Sequence, residues 1–140
     1  MYLDRMLAES GDVFPRGVMV LEIQAAIDFD ARQRGEDRQD VDDRSGLPIW
    51  NLVGLDMSAL DPEVRARSFR GSPEVRVRVL SKEEPELPRP QTAGMGPIVE
   101  FVDLMVTPYV DKDRCKGEGR RCRAEIRYSL RALGIRPFKG

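Results

Sequence analysis

The chain has 140 residues, of which 41% are hydrophobic and 34% charged, a balance typical of a globular domain with its own core. No apolar run approaches the roughly 20 residues that span a bilayer, and the start lacks the basic and apolar segments of a secretory signal, so we expect a cytoplasmic protein without membrane contact. The absence of histidine argues against triad chemistry and common metal sites, and we expect a non-enzymatic protein with no cofactor and no metal.

The net charge of −1 hides an uneven distribution along the chain. Residues 1–63 hold 14 acidic and 6 basic residues, whereas residues 64–140 hold 10 acidic and 17 basic ones. A basic region beside an acidic one is typical of a nucleic-acid surface whose other side stays anionic. Two ordinary solvated faces would give the same pattern.

The first half of the chain predicts two strands and one long polar connection. Residues 1–12 read as an N-terminal arm or short helix ending near Gly11. Alternation from Leu21 to Phe29 predicts a first strand, with Leu21 and Ile23 on its core side. Residues 30–46 are polar and predict an exposed loop, and 49–56 predicts a second strand.

The second half predicts three more strands. Val75, Val77 and Val79 alternate with arginines and predict a strand over 74–79. Residues 81–97 contain four prolines and predict an exposed loop. The apolar segment 98–110 changes phase near Val102 and Asp103, which predicts a bulge or tight turn. It leads through a charged loop into the alternating segment 121–133, so the last two strands should form a hairpin.

About five strands separated by long loops predict an all-β fold. Closing the set removes exposed edges, so we expect a single domain over 1–140 with a five-stranded barrel of the oligonucleotide-binding (OB) type and a short N-terminal helix. A β-sandwich is the second choice of fold.

The terminal strand carries the strongest functional signal. One parity of 121–133 can pack a core and includes Tyr128, while the other presents guanidinium groups spaced for a ligand with repeated negative charge. Tyr109 on the neighbouring strand is the best residue for base stacking, and Trp50 is a second one. The predicted basic face comprises Arg76, Arg78, Arg121, Arg123, Arg127 and Arg131. The alternative is that these arginines bridge to acids such as Glu74, Glu100 and Asp103.

The acidic loop and the cysteines offer weaker chemistry. Asp37, Asp40, Asp42 and Asp43 could in principle hold Mg²⁺, but in a polar loop with arginines we expect solvated carboxylates. Cys115 and Cys122 are too few for a zinc site without further ligands. The sequence leaves open whether they are free thiols, a disulfide or metal-bound.

Four segments resemble a known family. They are VFPRGVMVLEIQAAIDFD, DDRSGLPIW, VEFVDLMVTPYV and AEIRYSLRALGIR, spread in order from Val13 to Arg136. The chain thereby resembles the plasmid replication, integration and excision activators of actinobacterial integrative and conjugative elements. The resemblance implies an accessory role beside a replication initiator, helicase or recombinase, and it supplies no catalytic residues.

Two functions follow from the residues and this resemblance. The first is a DNA-binding accessory protein that holds single-stranded DNA electrostatically during replication, excision or transfer. The alternative is a regulatory protein-interaction module that contacts a replication or recombination protein through the acidic loop 36–43 without binding DNA. The sequence leaves open whether the chain forms homo-oligomers and whether it prefers DNA or RNA.

Overall fold

The computed structural model describes residues 5–60, 73–111 and 125–139, and these residues are mostly strand. They form two short helices, α1 (Ser10–Val13) and α2 (Phe29–Gln33), and a 3₁₀ turn over Met57–Leu60. The strands are β1 (Met6–Ala8), β2 (Val18–Ala25), β3 (Ile49–Asp56), β4 (Glu74–Leu80), β5 (Ile98–Val102), β6 (Leu104–Asp111), β7 (Glu125–Ala132) and β8 (Gly134–Pro137). None of these helices has the length and apolar character needed to cross a membrane.

The eight strands form one sheet in the order β1-β6-β7-β4-β3-β2-β5-β8. Neighbouring strands are antiparallel except β4 and β7, which pair in parallel. The sheet curls into a half-barrel. The expected predominance of strand therefore agrees with the structure, whereas the five-stranded OB-like barrel is wrong, and a single sheet also replaces the alternative sandwich of two.

Bends account for two of the three strands that exceed the predicted five, and β1 is the third. The predicted strand over 98–110 is divided by Asp103, which has a positive φ of 50°, and the terminal strand is divided at Leu133. The two strands pair in one register on both sides of the bend, since Val102 faces Gly134 and Met105 faces Arg131. Each long predicted strand thus becomes two shorter ones. The phase change near Val102 and Asp103 and the terminal hairpin are confirmed.

The N-terminal part differs from the predicted arm or helix over 1–12. Within the described residues it contains the short edge strand β1, followed by the single helical turn α1. Ser10 explains the position of this turn, because its buried Oγ accepts a hydrogen bond of 2.9 Å from the Phe101 backbone N–H. The turn is therefore fixed against β5 through a backbone group that would otherwise lack a partner.

The main core lies on one face of the sheet. Alternation places Leu52 of β3 and Val77 and Val79 of β4 on this side, and each of these side chains is at most 1% exposed. Phe14 and Phe101 pack against each other here, with ring centroids 5.6 Å apart. Period-two patterning therefore separates a core face from an outer face along the same strands.

A bulge in β2 changes which residues face this core. The pairing of β2 with β3 shifts between Val20 and Glu22, so Leu21 is the additional residue and is 56% exposed. The prediction that Leu21 faces the core is therefore wrong. Gly54 permits the close contact here, because a Cβ at that position would lie 2.5 Å from Val18 Cγ1.

The two predicted loops differ in how much regular secondary structure they contain. Residues 81–97 contain neither helix nor strand, as predicted. The 30–46 region is more structured, since α2 occupies Phe29–Gln33 and isolated bridges pair Ile27 with Gln39 and Val41 with Pro48. Asp28 caps α2 by accepting a hydrogen bond of 3.0 Å from the Asp30 backbone N–H.

Candidate functional site

An open groove of about 840 Å³ crosses the sheet, and most of its polar lining lies on the face opposite the main core. Strand register explains this polar part of the lining, because residues paired side by side point to the same face. One row runs across five strands, from Gln24 through Asn51, Arg78 and Arg131 to Met105. All of these except Met105 line the groove. The groove therefore crosses the middle of the sheet.

Three of the predicted arginines line this groove, and their environments differ. Arg76 is exposed, and its Nε lies 3.2 Å from Glu74 Oε1, as the ion-pair alternative predicted. Arg78 is also exposed, and it has no ion pair with any carboxylate that the structure describes. Arg131 is the directly paired neighbour of Arg78 on β7, and its side chain is only 17% exposed. Two guanidinium groups thus stand side by side.

Asp42 lies next to Arg131, beside the arginine end of the groove. Its carboxylate accepts hydrogen bonds of 2.7 and 3.0 Å from both terminal nitrogens of Arg5, and 2.8 and 3.0 Å from the Ser45 hydroxyl and backbone N–H. These bonds hold the pKa of Asp42 well below its ordinary value of 3.8. Asp42 is 3% exposed, so the prediction that it is a solvated carboxylate is wrong. We call Arg5, Asp42 and Ser45 the Asp42 clamp.

The Asp42 clamp compensates the charge of Arg131 only in part. Arg131 Nε lies 3.7 Å from Asp42 Oδ1, which is too far for a hydrogen bond. This Nε and the Thr107 hydroxyl are buried and have no hydrogen-bond partner among the described residues. Burial lowers the pKa of Arg131, and the positive charges of Arg5 and Arg78 lower it further. The groove therefore has a local excess of positive charge at its floor.

Tyrosines line the other end of the groove. Tyr109 is 47% exposed and Tyr128 is 54% exposed, and both contribute to the lining. Tyr109 is one of the predicted site residues, whereas the parity of Tyr128 predicts a place in the core. That prediction is wrong because the described pairing of β7 with β4 begins only at Leu130. At Tyr128, β7 therefore has no paired residue on β4 beside it, and the ring stays exposed. The alternation alone carries no signal for where the neighbouring strand ends.

The remaining predicted site residues are not brought into the groove. Trp50 lies on the core side, where it packs against the main core and donates its Nε1–H to the Ser81 carbonyl at 2.9 Å. Arg127 is exposed and faces Tyr109 in the register of β6 and β7, but it is not part of the lining. Arg121 and Arg123 lie outside the described residues, as do Cys115 and Cys122.

The described side chains include no group of three or more acidic or cysteine residues arranged to hold a metal ion. The groove instead offers guanidinium groups, a hydroxyl, an amide and aromatic rings, which are suited to binding an anionic ligand. A comparison with known protein families, curated proteins and solved structures finds no match to this chain.

Proposed function

We propose that this protein is a non-enzymatic accessory factor that binds single-stranded DNA in the groove. The observation that carries the proposal is the adjacent pair Arg78 and Arg131, which stand in an open groove with exposed tyrosines at its other end. Phosphates would pair with the guanidinium groups, and bases would stack on the rings. The family resemblance supports a role in replication, excision or transfer of a mobile element in the cytoplasm.

The dimensions of the groove suit a few nucleotides of an extended strand. Tyr109 lies four residues along β6 from Met105, which is paired with Arg131. At about 3.4 Å per residue, the tyrosine end and the arginine end are therefore about 14 Å apart. The described lining of the groove comes from strands alone and includes no helix that could enter the major groove of a duplex. This geometry favours an unpaired strand over a double helix.

The charge balance of the groove favours modest, salt-sensitive binding. Glu22 lines the same groove, and Glu74 neutralises part of Arg76. Since few aromatic rings are present, most of the affinity would come from phosphate contacts and counterion release. We therefore expect little discrimination among base sequences.

A salt titration tests this proposal directly. The affinity for a fluorescent oligo-dT strand should fall steeply as salt rises, and Arg78→Glu should weaken binding about tenfold or more and make the logarithmic slope shallower by about one. Arg89→Glu is the matched control, since Arg89 is exposed in the 81–97 loop away from the groove. Equal effects of the two reversals, or an affinity independent of salt, would contradict the proposal.

A specific observation favours the second candidate function, a protein-interaction module. Phe29 is 73% exposed at the start of α2 between two aspartates, and Ile27 and Val41 nearby in the chain are 51% and 44% exposed. An apolar side chain among carboxylates is typical of a contact with a basic protein surface. In a cellular assay of element replication or excision, Phe29→Ser should then abolish activation while Arg78→Glu leaves it intact. The opposite result supports DNA binding.

A further inference from the structure

We propose that Arg78, Arg131 and Thr107 form a discrete phosphate-binding subsite at the floor of the groove. The ligand chemistry is a phosphate monoester or diester, which would accept hydrogen bonds from both guanidinium groups and from the hydroxyl. The subsite deepens the proposed function, on which it rests for the identity of its natural ligand, one phosphate of the bound strand. Its anion chemistry is measurable without any nucleic acid.

The first observation is the direct pairing of two like charges. Arg78 and Arg131 are register partners on adjacent parallel strands and share one face. Like charges placed side by side on a sheet are unfavourable, and the charge of Arg78 contributes to lowering the pKa of Arg131. A phosphate between the two guanidinium groups would replace this repulsion with charge-assisted hydrogen bonds to both.

The second observation is that the buried side of the pair is incompletely bonded. Arg131 is largely buried, yet its Nε has no hydrogen-bond partner among the described residues. Asp42 directs both of its oxygens to Arg5 and Ser45 at 3.0 Å or less and remains 3.7 Å from Arg131. Because a buried donor without a hydrogen-bond partner is costly, Arg131 should gain more from an anion that accepts from its Nε–H than an exposed arginine would.

The third observation is a second buried hydrogen-bond donor without a partner among the described residues. The Thr107 hydroxyl is buried, with no partner among the described residues, and Thr107 lies on β6 two residues from Met105, the register partner of Arg131. Thr107 and Arg131 therefore point to the same face on neighbouring strands, and both line the groove. Each terminal oxygen of a phosphate can accept more than one hydrogen bond, so a single phosphate can accept from all three side chains.

The test observes the arginine Nε–H signals of the full-length protein by NMR while inorganic phosphate replaces chloride at constant ionic strength. Saturable shifts are expected for Arg78 and Arg131. Arg78→Gln should weaken phosphate binding about tenfold or more, while the control Arg89→Gln keeps the wild-type value. Shifts that never saturate, or an Arg78→Gln variant that binds like the wild type, would overturn the subsite.

Thr107 supplies variants that separate binding from folding. Thr107→Val should weaken phosphate binding about fivefold, and because it removes an unsatisfied hydroxyl it should leave the free energy of unfolding equal or higher. Thr107→Ser keeps the hydroxyl and should restore the affinity. Arg131→Lys keeps the charge but loses the planar fork, so its affinity should also fall. Equal phosphate affinity in Thr107→Val and Thr107→Ser would remove Thr107 from the subsite as proposed.

The oligo-dT titration keeps the two proposals distinguishable. If phosphate binds saturably and oligo-dT does not bind, the subsite stands and the single-strand function fails. If oligo-dT binds and phosphate shows no saturable shift, the function stands and the discrete subsite is overturned, because binding then needs only a diffuse positive field.

Discussion

The core face and the groove face of the curled sheet use the same strands. The contacts that determine the environment of their residues come from different parts of the chain. On the core face, Leu52 and Val77 pair directly and are almost fully buried, so alternation alone determines their neighbours. On the groove face, the paired residues Asn51 and Arg78 are exposed, and the state of Arg131 depends on Asp42 from a distant loop. Burial specifies the core face. The groove face has a small buried cluster around Ile49 and Leu80 at one end, and its polar part depends on contacts between distant segments of the chain.

Leu52→Ala and Asn51→Ala provide the strongest contrast between the faces. Leu52 is 0% exposed, so its truncation should lower the free energy of unfolding by about 3–4 kcal/mol. Asn51→Ala, one residue earlier on the outer face, should change it by less than about 0.5 kcal/mol. Urea denaturation measures both values. Similar losses for the two variants would show that the outer face is packed as closely as the core.

The Asp42 clamp should make the groove face contribute to stability. Asp42→Asn leaves the largely buried Arg5 and Arg131 without this counter-charge, and we expect a loss of about 3 kcal/mol at neutral pH. Unfolding measured in urea checks this value. Asp43→Asn changes an exposed neighbour in the same loop and is the matched control, which should change stability by less than about 0.5 kcal/mol. Equal losses for the two variants would mean that burial of the Asp42 carboxylate contributes nothing.

The pH dependence of stability should report the same clamp. The pKa of Asp42 is lowered in the folded state from 3.8, so its contribution is present above that value and is lost as the pH falls from about 4 towards the folded pKa. The wild type should therefore lose more stability than Asp42→Asn between about pH 5 and pH 2, in urea denaturation at several pH values. Parallel curves for the two proteins would contradict this assignment.

Gly54→Ala tests how closely β2 and β3 approach on the core side. The new Cβ would lie 2.5 Å from Val18 Cγ1 and 2.6 Å from the Met19 carbonyl oxygen, so we expect a loss of about 2 kcal/mol, measured by thermal or urea unfolding. Gly11→Ala is the control, since a Cβ there meets nothing within 4 Å. An unchanged Gly54→Ala variant would mean that the bulge can move to make room.

Asp103→Gly should have the smallest effect, although Asp103 lies at the bend between β5 and β6. The positive φ of Asp103 suits glycine without a Cβ penalty, so the free energy of unfolding should change by less than about 1 kcal/mol. Asp103→Val should instead destabilise the protein by about 1–2 kcal/mol, because a β-branched residue is strained there. Urea denaturation compares the two variants. Equal stability would show that the bend does not require this backbone conformation.

The sequence predicted the strands well because each is a local pattern. The bounds of β3 and β4, the bend near Asp103 and the terminal hairpin all follow from alternation and its interruption. The division at Leu133 could not be predicted, because the alternation has no break there, and the edge strand β1 lies where an arm or short helix was predicted. The five-stranded barrel was wrong in part for these reasons.

The candidate site was predictable only in part, for a related reason. Arg76, Arg78 and Arg131 were found because they alternate with apolar residues. Asp42 was missed because the sequence of a polar loop does not indicate that one of its carboxylates is buried and paired with Arg5. Trp50 and Tyr128 exchanged their expected roles, since exposure depends on where a neighbouring strand ends and not on residue type.

The parallel pairing of β4 with β7 has a consequence for the order of folding. It joins segments that are far apart in the chain, and contacts of that kind form slowly because a large loop must close first. The strands β2, β3 and β4 are sequential neighbours, and β6 and β7 form their own hairpin, so each group can assemble separately. Arg78 and Arg131 meet only when the two groups dock. If the proposed subsite exists, anion binding during refolding would therefore appear only after this docking.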